Sequence, residues 1–235
     1  MVIELLYPEI CTLYGDNGNI LFLKKNLKDV TFITTSLSDK PYFVDNKVDL
    51  IYMGPTSEKQ QETIIDHLAL YKDKIKELID NGTFFLFTGN AYEILTSQIV
   101  DNNKKVTKGL NIFDIKVTRD FLNRKNKLFI GDYEDIKVVG FQSQFDFCQS
   151  DINGLFKVEH GFGQDKNSPY EGFKVNNFYA TTLLGPLLML NPLFSKKFLN
   201  ELGLEIKEFE FEEELNEAYK LRLEDFNRAI RLEKK

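Results

Sequence analysis

The stretch that decides the fold is TFFLFTGNAYEILT, residues 83–96. It predicts a buried strand, a tight turn around Gly89 and then the start of a helix. A strand, a tight turn and a helix form the elbow on which several classes of enzyme carry a nucleophile. Here the turn is Thr88-Gly89-Asn90-Ala91, which contains neither cysteine nor serine. The segment therefore has the frame of a nucleophile site but no evident nucleophile.

The residues before this segment alternate between strand and helix patterns. VDLIYM (48–53) is a continuous apolar run, which is typical of a strand in a parallel sheet. The next four residues, 54–57, predict a helix start, and apolar side chains at 3.6-residue spacing extend that helix over Glu58–Asp80. Further elements are predicted at Val2–Tyr7 (strand), Gly18–Asn26 (helix) and Val30–Thr35 (strand). This alternation predicts an α/β fold with a doubly wound parallel sheet, in which ligands bind beyond the carboxyl ends of the strands.

From about Leu110 the pattern changes to short β-type runs separated by glycine and asparagine, which predicts a β-rich second half. The runs are GLNIFDIKVTR (109–119), NKLFIGD (126–132), DIKVVGFQSQFDF (135–147), LFKVEHGFG (155–163), EGFKVNNFYATT (171–182) and LLGPLLML (183–190). Helices are predicted for Asn191–Glu201 and about Glu213–Lys234. We expect one domain over residues 1–202 and a charged helical tail over residues 203–235. The tail has an apolar stripe that either packs on its own domain or binds another subunit.

Composition excludes several classes of function. The chain has 235 residues, of which 43% are apolar, and its net charge of −6 disfavours nucleic acid as a partner. No run approaches the roughly 18 apolar residues of a membrane span, and the N-terminus lacks a signal-peptide pattern, so we expect a cytoplasmic protein. The two cysteines and two histidines have no metal-site spacing, so we expect no metal and no cofactor. Packing, loop or surface roles are expected for all four: Cys11, Cys148, His67 and His160.

Four short motifs occur in the order and at the spacing of one known family. They are LYGDNGN (13–19), GLNIFD (109–114), VGF (139–141) and GPLL followed by Asn-Pro (185–192). In these motifs the chain resembles class I glutamine amidotransferases of the cobyric-acid-synthase-like (CobB/CobQ) branch, and most of all the GatD type. The resemblance implies a three-layer fold around a mostly parallel central sheet. It also implies a protein partner, because the GatD type is the glutaminase subunit that pairs with the Mur-ligase-like MurT to amidate lipid II.

The chemistry of that family implies a cysteine at the elbow and a histidine just before the GPLL motif. The histidine takes the proton of the thiol, and the thiolate attacks the side-chain carbonyl of glutamine. The products are a glutamyl thioester and free ammonia, which the partner synthetase consumes. Backbone N–H groups near the elbow and the first glycine-rich loop stabilise the oxyanion.

This chain departs from the family pattern at the reactive positions. Alignment of GNAYEIL with the family's CGGYQLL places Gly89 at the nucleophile, and alignment of TTLLGPLL with TYLHGPLL places Leu184 at the histidine. Gln144 stands at a further family histidine, and Phe147 at an arginine that would hold substrate. Pro55, within a replaced run of glycines, has no N–H to donate. The former pocket is predicted to contain Gly54, Pro55, Gly89, Asn90, Gln144 and Phe147.

These departures predict a non-catalytic subunit that pairs with a Mur-ligase-like synthetase in cell-wall precursor amidation. The alternative is an active enzyme that hydrolyses glutamine or another small molecule in the same cleft through an unrecognised nucleophile. The residues to inspect for that alternative are Thr88, Glu93, Ser143, Asp146 and His160. Asp16 and Asn19 in the first motif have two open interpretations: side chains that stabilise a turn, or a polar loop that shapes the pocket or contacts a partner.

Overall fold

The computed structural model describes residues 1–233. Its strands are β1 (Val2–Leu6), β2 (Thr31–Thr35), β3 (Leu50–Met53), β4 (Phe84–Thr88), β5 (Gln98–Asp101), β6 (Val106–Lys108), β7 (Lys116–Arg119), β8 (Lys125–Tyr133), β9 (Ile136–Gln144), β10 (Asp146–Gln149), β11 (Gly154–His160), β12 (Tyr170–Val175) and β13 (Phe178–Thr181). Its α-helices are α1 (Asn17–Asn26), α2 (Glu58–Ala69), α3 (Lys72–Asp80), α4 (Leu187–Leu190), α5 (Pro192–Glu201) and α6 (Glu212–Glu233). The last two residues of the predicted tail, 234 and 235, lie outside this description.

A nine-stranded sheet forms the centre of the molecule, in the order β2-β1-β3-β4-β13-β12-β11-β8-β9. The first five strands in this order are parallel to their neighbours, and from β13 onward each neighbour is antiparallel. A second sheet of four short strands has the order β10-β7-β5-β6. The predicted α/β class and the β-rich second half are thus confirmed, within a sheet that is mixed as a whole.

Helices cover both faces of the parallel part, which gives three layers. Ile51 and Met53 of β3 pack in one apolar cluster with α2 and α3, while Leu50 and Tyr52 pack in another with α1, α4 and α5. Successive side chains of a strand point to opposite faces, so a strand with both faces covered needs the continuous apolar run that the sequence has here. Ser57 accepts a hydrogen bond from the backbone N–H of Gln60 and caps α2, as the sequence predicted.

The helical tail packs on the antiparallel end of the sheet. Tyr219 and Ile230 of α6 join Ile130 and Val139 of β8 and β9 in a small apolar cluster, and the Tyr219 hydroxyl donates to the Lys137 carbonyl at 2.8 Å. Of the two interpretations of its apolar stripe, the structure has the one in which the tail packs on its own domain. The domain boundary at residue 202 stays a prediction.

Three element predictions were wrong. The helix predicted over Glu58–Asp80 is two helices, because the Tyr71 N–H bonds the Leu68 carbonyl three residues back and the ladder ends there. The turn of the elbow leads into a 3-10 helix, Ala91–Leu95, instead of an α-helix. LLGPLLML contains α4 instead of a strand, since an apolar run this short fits a buried helix equally well.

A fourth difference matters for the site. The run predicted as one strand over residues 135–147 is two strands, β9 and β10, which belong to different sheets. The strands are separated at Phe145, and β10 pairs with β7. Because alternation along a strand assigns each side chain to a face, this break changes where Phe147 lies.

Candidate functional site

Loops that follow the parallel strands meet at one edge of the sheet and enclose a cleft. The loop after β3 brings Pro55, the elbow after β4 brings Gly89 and Asn90, and the loop after β13 brings Leu184. Gln144 and Asp146, at the junction of β9 and β10, form the opposite wall. The space between these walls is about 430 Å³, including the part open to solvent. This is the position at which α/β sheets bind ligands.

The elbow has no room for a side chain at position 89. Gly89 has a φ of +60°, in the left-handed region that glycine adopts without strain. A Cβ atom added to it would lie 2.5 Å from Cβ of Pro55 and 3.1 Å from Cδ2 of Leu184. Leu184 is itself fixed, since its N–H donates to the Phe141 carbonyl at 2.9 Å. The residues at the aligned nucleophile and histidine positions are thus packed together with the proline of the first loop.

Asp16 and Asn19 form a buried polar centre beneath the cleft. The Asp16 carboxylate accepts from the Thr88 hydroxyl at 2.7 Å, from the Asn19 amide at 3.1 Å and from the Tyr52 hydroxyl. A Cβ on Gly54 would lie 2.2 Å from Oδ2 of Asp16, so glycine is required where β3 ends. These bonds tie the first loop to β3 and β4, which favours the structural interpretation of Asp16 and Asn19.

The same bonds account for Thr88, one of the residues to inspect for the active-enzyme alternative. Its hydroxyl is fully buried and donates to Asp16. Thr88 is not among the residues that line the cleft. The geometry therefore gives Thr88 a structural role in holding the elbow.

A buried ionic network below the elbow was missed by the sequence analysis. Arg119 of β7 donates to Asp146 at 2.6 Å, to the Gln61 side chain at 2.9 Å and to Glu93. Gln61 in turn donates to the Asn90 carbonyl at 2.7 Å, which connects the network to the elbow. Burial raises the pKa of Glu93 and of Asp146, while the Arg119 guanidinium opposes the rise in both. The sequence has no local signal for this cluster. The one available sign would be the burial of Arg119, and the sequence of β7 does not reveal that burial.

Gln144 has one polar atom with no hydrogen-bond partner among the described residues. Its Nε2 donates to the backbone carbonyl of Asp146 at 2.8 Å, while its Oε1 is buried without a donor. The amide orientation follows from that bond, because a flipped amide would set two acceptors against each other. Gln144 lines the cleft, as the sequence predicted, but it offers an amide where an imidazole would act as a base.

The mouth of the cleft is bridged by Arg124. Its guanidinium donates to the Tyr14 hydroxyl at 3.1 Å and to the Ser143 hydroxyl at 3.0 Å, and it stacks on the Phe145 ring at 4.2 Å. Ser143 therefore lines the cleft, where its hydroxyl accepts a hydrogen bond from Arg124. Among the described residues, no histidine is hydrogen-bonded to it. A serine needs an adjacent base to act as a nucleophile.

Other predicted site residues lie elsewhere. Phe147 does not line the cleft: it packs edge-on against Phe162, and Lys125 lies 3.9 Å from its ring centre. Gly54 contacts Asp16 and also lies outside the lining. The cleft thus keeps four of the six predicted pocket residues: Pro55, Gly89, Asn90 and Gln144.

The cysteines and histidines are not placed for catalysis at the cleft. Cys11 and Cys148 are buried, with 1% and 3% of their surface exposed, and burial raises the pKa of each thiol to about 12. His67 shares a hydrogen bond of 2.9 Å with the Tyr7 hydroxyl on the α2 side of the sheet. His160 ends β11, outside the lining of the cleft. A thiolate is the reactive form of cysteine, and these surroundings disfavour it.

Replacing Asp16 with asparagine should flatten the pH dependence of stability. Burial raises the pKa of Asp16 to about 7, and that of Glu171 also to about 7. These carboxyls are protonated when folded and ionised when unfolded between roughly pH 4 and 7, so folding takes up protons there. The contribution of these two carboxyls to stability therefore falls as pH rises from about 4 to 7 and then levels off. In Asp16→Asn the slope should be less steep by up to about 1.4 kcal/mol per pH unit near pH 6.

Urea unfolding followed by far-ultraviolet circular dichroism at pH 5, 6, 7 and 8 measures this slope; the chain has no tryptophan for fluorescence. Asp225→Asn, at an exposed position on α6, is the matched control and should keep the wild-type slope. An unchanged slope in Asp16→Asn would contradict the raised pKa.

Within residues 1–233, no group of three or more histidine, cysteine, aspartate or glutamate side chains is arranged to hold a metal ion. None of the helices in that range has the length and apolar character needed to cross a bilayer.

Two curated relatives are subunits of one enzyme. The GatD subunit of lipid II isoglutaminyl synthase (glutamine-hydrolyzing) from Streptococcus pneumoniae (strain ATCC BAA-255 / R6) is 30% identical over 198 residues, covering 79% of this chain and 74% of the relative. The same subunit from Staphylococcus aureus (strain N315) is 25% identical over 182 residues, covering 76% and 74%. Both names agree with the GatD resemblance drawn from the motifs.

Solved structures agree on the fold. A crystal structure of a glutamine amidotransferase matches with a TM-score of 0.57 at 14% identity, covering 87% of this chain and 100% of that one. A second, from Thermotoga maritima, has a TM-score of 0.51 at 12% identity, with coverage of 96% and 91%. The family model for the CobB/CobQ-like glutamine amidotransferase domain matches residues 2–186. The chain therefore belongs to the CobB/CobQ-like glutamine amidotransferase family.

Proposed function

We propose that this protein is a non-catalytic, GatD-like subunit that pairs with a Mur-ligase-like synthetase in the amidation of a cell-wall precursor, in the cytoplasm. One observation carries the proposal: the space for a nucleophile at the elbow is filled by Pro55 and Leu184, which lie 2.5 and 3.1 Å from where a Cβ of residue 89 would be. With that space filled, residue 89 can have no attacking side chain, and substrate cannot reach the elbow.

The chemistry of the family supports this proposal. Release of ammonia from glutamine requires a thiolate beside an imidazole. The two thiols of this chain are buried with pKa values raised to about 12, and neither histidine lines the cleft. Leu184 has no atom that can accept a proton. The buried hydrogen bonds that hold the elbow and the cleft walls, including those of Asp16 and Arg119, are nevertheless formed.

The partnership is supported by the relatives. Both curated relatives are named as subunits of lipid II isoglutaminyl synthase. A chain that keeps the fold of such a subunit without its reactive groups can still act through association. In this function the subunit supports or regulates the synthetase instead of supplying it with ammonia.

An ammonia assay tests the absence of catalysis. The protein, alone and mixed with a Mur-ligase-like synthetase of the same genome, is incubated with glutamine, and ammonia is measured with glutamate dehydrogenase. We expect release at the rate of the protein-free blank, unchanged by iodoacetamide. An active GatD subunit of Streptococcus pneumoniae serves as the positive control. Turnover that alkylation of Cys11 or Cys148 abolishes would overturn the proposal.

The alternative, an active enzyme with an unrecognised nucleophile, is tested in the same assay. Ser143 is the one hydroxyl of the candidate set that lines the cleft. Turnover that survives alkylation but disappears in Ser143→Ala would establish the alternative.

A further inference from the structure

Charge is distributed unevenly along this chain. Residues 104–127 contain eight lysines and arginines and two aspartates, a net charge of +6, whereas the whole chain has −6. The rest of the molecule therefore has −12. The basic segment covers β6, β7, the turn before β8 and the first residues of β8. Arg119 is buried with Glu93 and Asp146, and Lys105 pairs with Glu62, so the other six lysines and arginines provide the basic surface of this segment. A basic surface on an otherwise acidic chain is a means of orienting a charged partner.

Cations and aromatic rings are paired along this region. The pairs are Arg119 with Phe121 (5.6 Å), Arg124 with Phe145 (4.2 Å), Lys125 with Phe147 (3.9 Å) and Lys127 with Phe162 (5.7 Å), measured to the ring centre. Of the eight cation–ring pairs among the described residues, these four lie within residues 119–162. We call Phe121, Leu122, Arg124, Lys125, Phe145 and Phe147 the basic aromatic rim.

Apolar side chains project from the rim into solvent. Leu122 is 82% exposed and Phe121 is 40% exposed, in the turn between β7 and β8. The rim reaches the cleft mouth through Arg124, which bonds Tyr14 and Ser143. Exposed apolar groups next to arginine and aromatic residues are typical of protein interfaces, where such residues contribute most of the binding energy.

We propose that the basic aromatic rim is the docking surface for an acidic face of the Mur-ligase-like synthetase. This inference rests on the proposed function, which supplies the partner. Leu122 enters an apolar depression on the synthetase, while carboxylates of the synthetase pair with Arg124 and Lys125. Each cation already lies over a ring, so its position is fixed before the partner arrives and less side-chain entropy is lost on binding.

A protein fits this surface better than a nucleic acid does. Single-stranded nucleic acids bind by stacking bases on open aromatic faces. Here Arg124 and Lys125 cover faces of Phe145 and Phe147 at 4.2 and 3.9 Å. The net charge of −12 on the rest of the chain also repels a long polyanion, whereas a compact acidic patch on a protein contacts only the rim.

Binding of the full-length protein to the synthetase tests the rim, by biolayer interferometry at 50 and 300 mM NaCl. We expect Lys125→Glu and Leu122→Ser each to raise the Kd at least tenfold, and the higher salt to raise the wild-type Kd at least fivefold. Lys28→Glu makes the same charge change next to β2, at the opposite edge of the large sheet. Leu70→Ser removes a leucine that is 75% exposed between α2 and α3. Both controls should change the Kd less than twofold.

The outcomes separate the two proposals. If the synthetase binds Lys125→Glu and Leu122→Ser as tightly as wild type, the basic aromatic rim is not the docking surface, while the proposed partnership stands. No complex at 100 µM of each protein would overturn both. Binding of a fluorescent twelve-residue oligothymidine that Lys125→Glu abolishes would assign the rim to nucleic acid and overturn its assignment to a protein.

Discussion

Replacing Arg119 with methionine is expected to lower the free energy of unfolding by about 3–5 kcal/mol, the usual cost of removing one partner from a buried ion pair. Methionine keeps most of the side-chain length but leaves Glu93 and Asp146 facing each other without a cation. Arg119 is 6% exposed and bonds both carboxylates as well as Gln61, so no water replaces the guanidinium without rearrangement.

The loss in Arg119→Met should depend on pH. Without the guanidinium the two carboxyls bind protons more tightly when folded, so between pH 6 and 8 folding of the variant takes up more protons than folding of wild type does. The variant should therefore lose more stability relative to wild type at pH 8 than at pH 6. Urea unfolding at both values measures the difference. A variant with equal losses at the two pH values would contradict the role of charge.

Two further variants isolate the cause. Arg228→Met removes an exposed arginine whose partner is Asp225 on the same helix, and it should cost less than about 0.5 kcal/mol. Glu93→Gln in the Arg119→Met background removes one of the two unpaired carboxyls and should restore part of the loss. If the double variant were less stable than Arg119→Met, unpaired carboxylate charge would not be the cause of the stability loss.

Gly89→Ala is expected to destabilise the protein by about 2–5 kcal/mol, from strain at positive φ together with overpacking. The added Cβ would lie 2.5 Å from Pro55, well inside van der Waals contact. In a Pro55→Gly background the cost of Gly89→Ala should fall by about 1–3 kcal/mol, because the clash with Pro55 is gone while the tight contact with Leu184 and the backbone strain remain. Thermal and urea unfolding of the four proteins of this cycle measure the coupling.

Gly203→Ala is the matched control for strain alone. Gly203 has a φ of +93°, and a Cβ there would meet no atom within 4 Å. Its cost should be about 1–2 kcal/mol in any background, since only backbone strain contributes. A cost of Gly89→Ala that is the same with and without Pro55 would contradict the packing at the elbow. Gly89→Cys, even with Leu184→His, should release no ammonia while Pro55 remains.

The parallel half of the fold and the elbow could be predicted because their signals are local. The central strands β3 and β4 are apolar runs, and each is followed by a glycine that ends it. The position of Gly89 follows from the same pattern, since a tight turn after a strand needs positive φ. The family could be identified from short motifs that mostly serve the frame, such as Asp16 and Asn19 beneath the elbow.

The rest depends on contacts between distant segments. Arg119 belongs to the strand KVTR, and the alternation of its side chains does not show which face of the strand is turned inward. Only the packing of the small sheet under α2 buries it beside Glu93. Phe147 was assigned to the cleft because it aligns with a family arginine that would hold substrate, and the pairing of β10 with β7 places it elsewhere. The break between α2 and α3 preserves the apolar stripe, so periodicity does not reveal it.

The contact between Pro55 and Gly89 also constrains the order in which mutations can accumulate. A cysteine introduced at position 89 by a single substitution would meet the proline ring and a strained backbone. Position 55 must first change to a smaller residue, which by itself restores nothing. Under the proposed function, a working nucleophile at this elbow therefore needs changes at two positions at least, and the first of them gives no activity by itself.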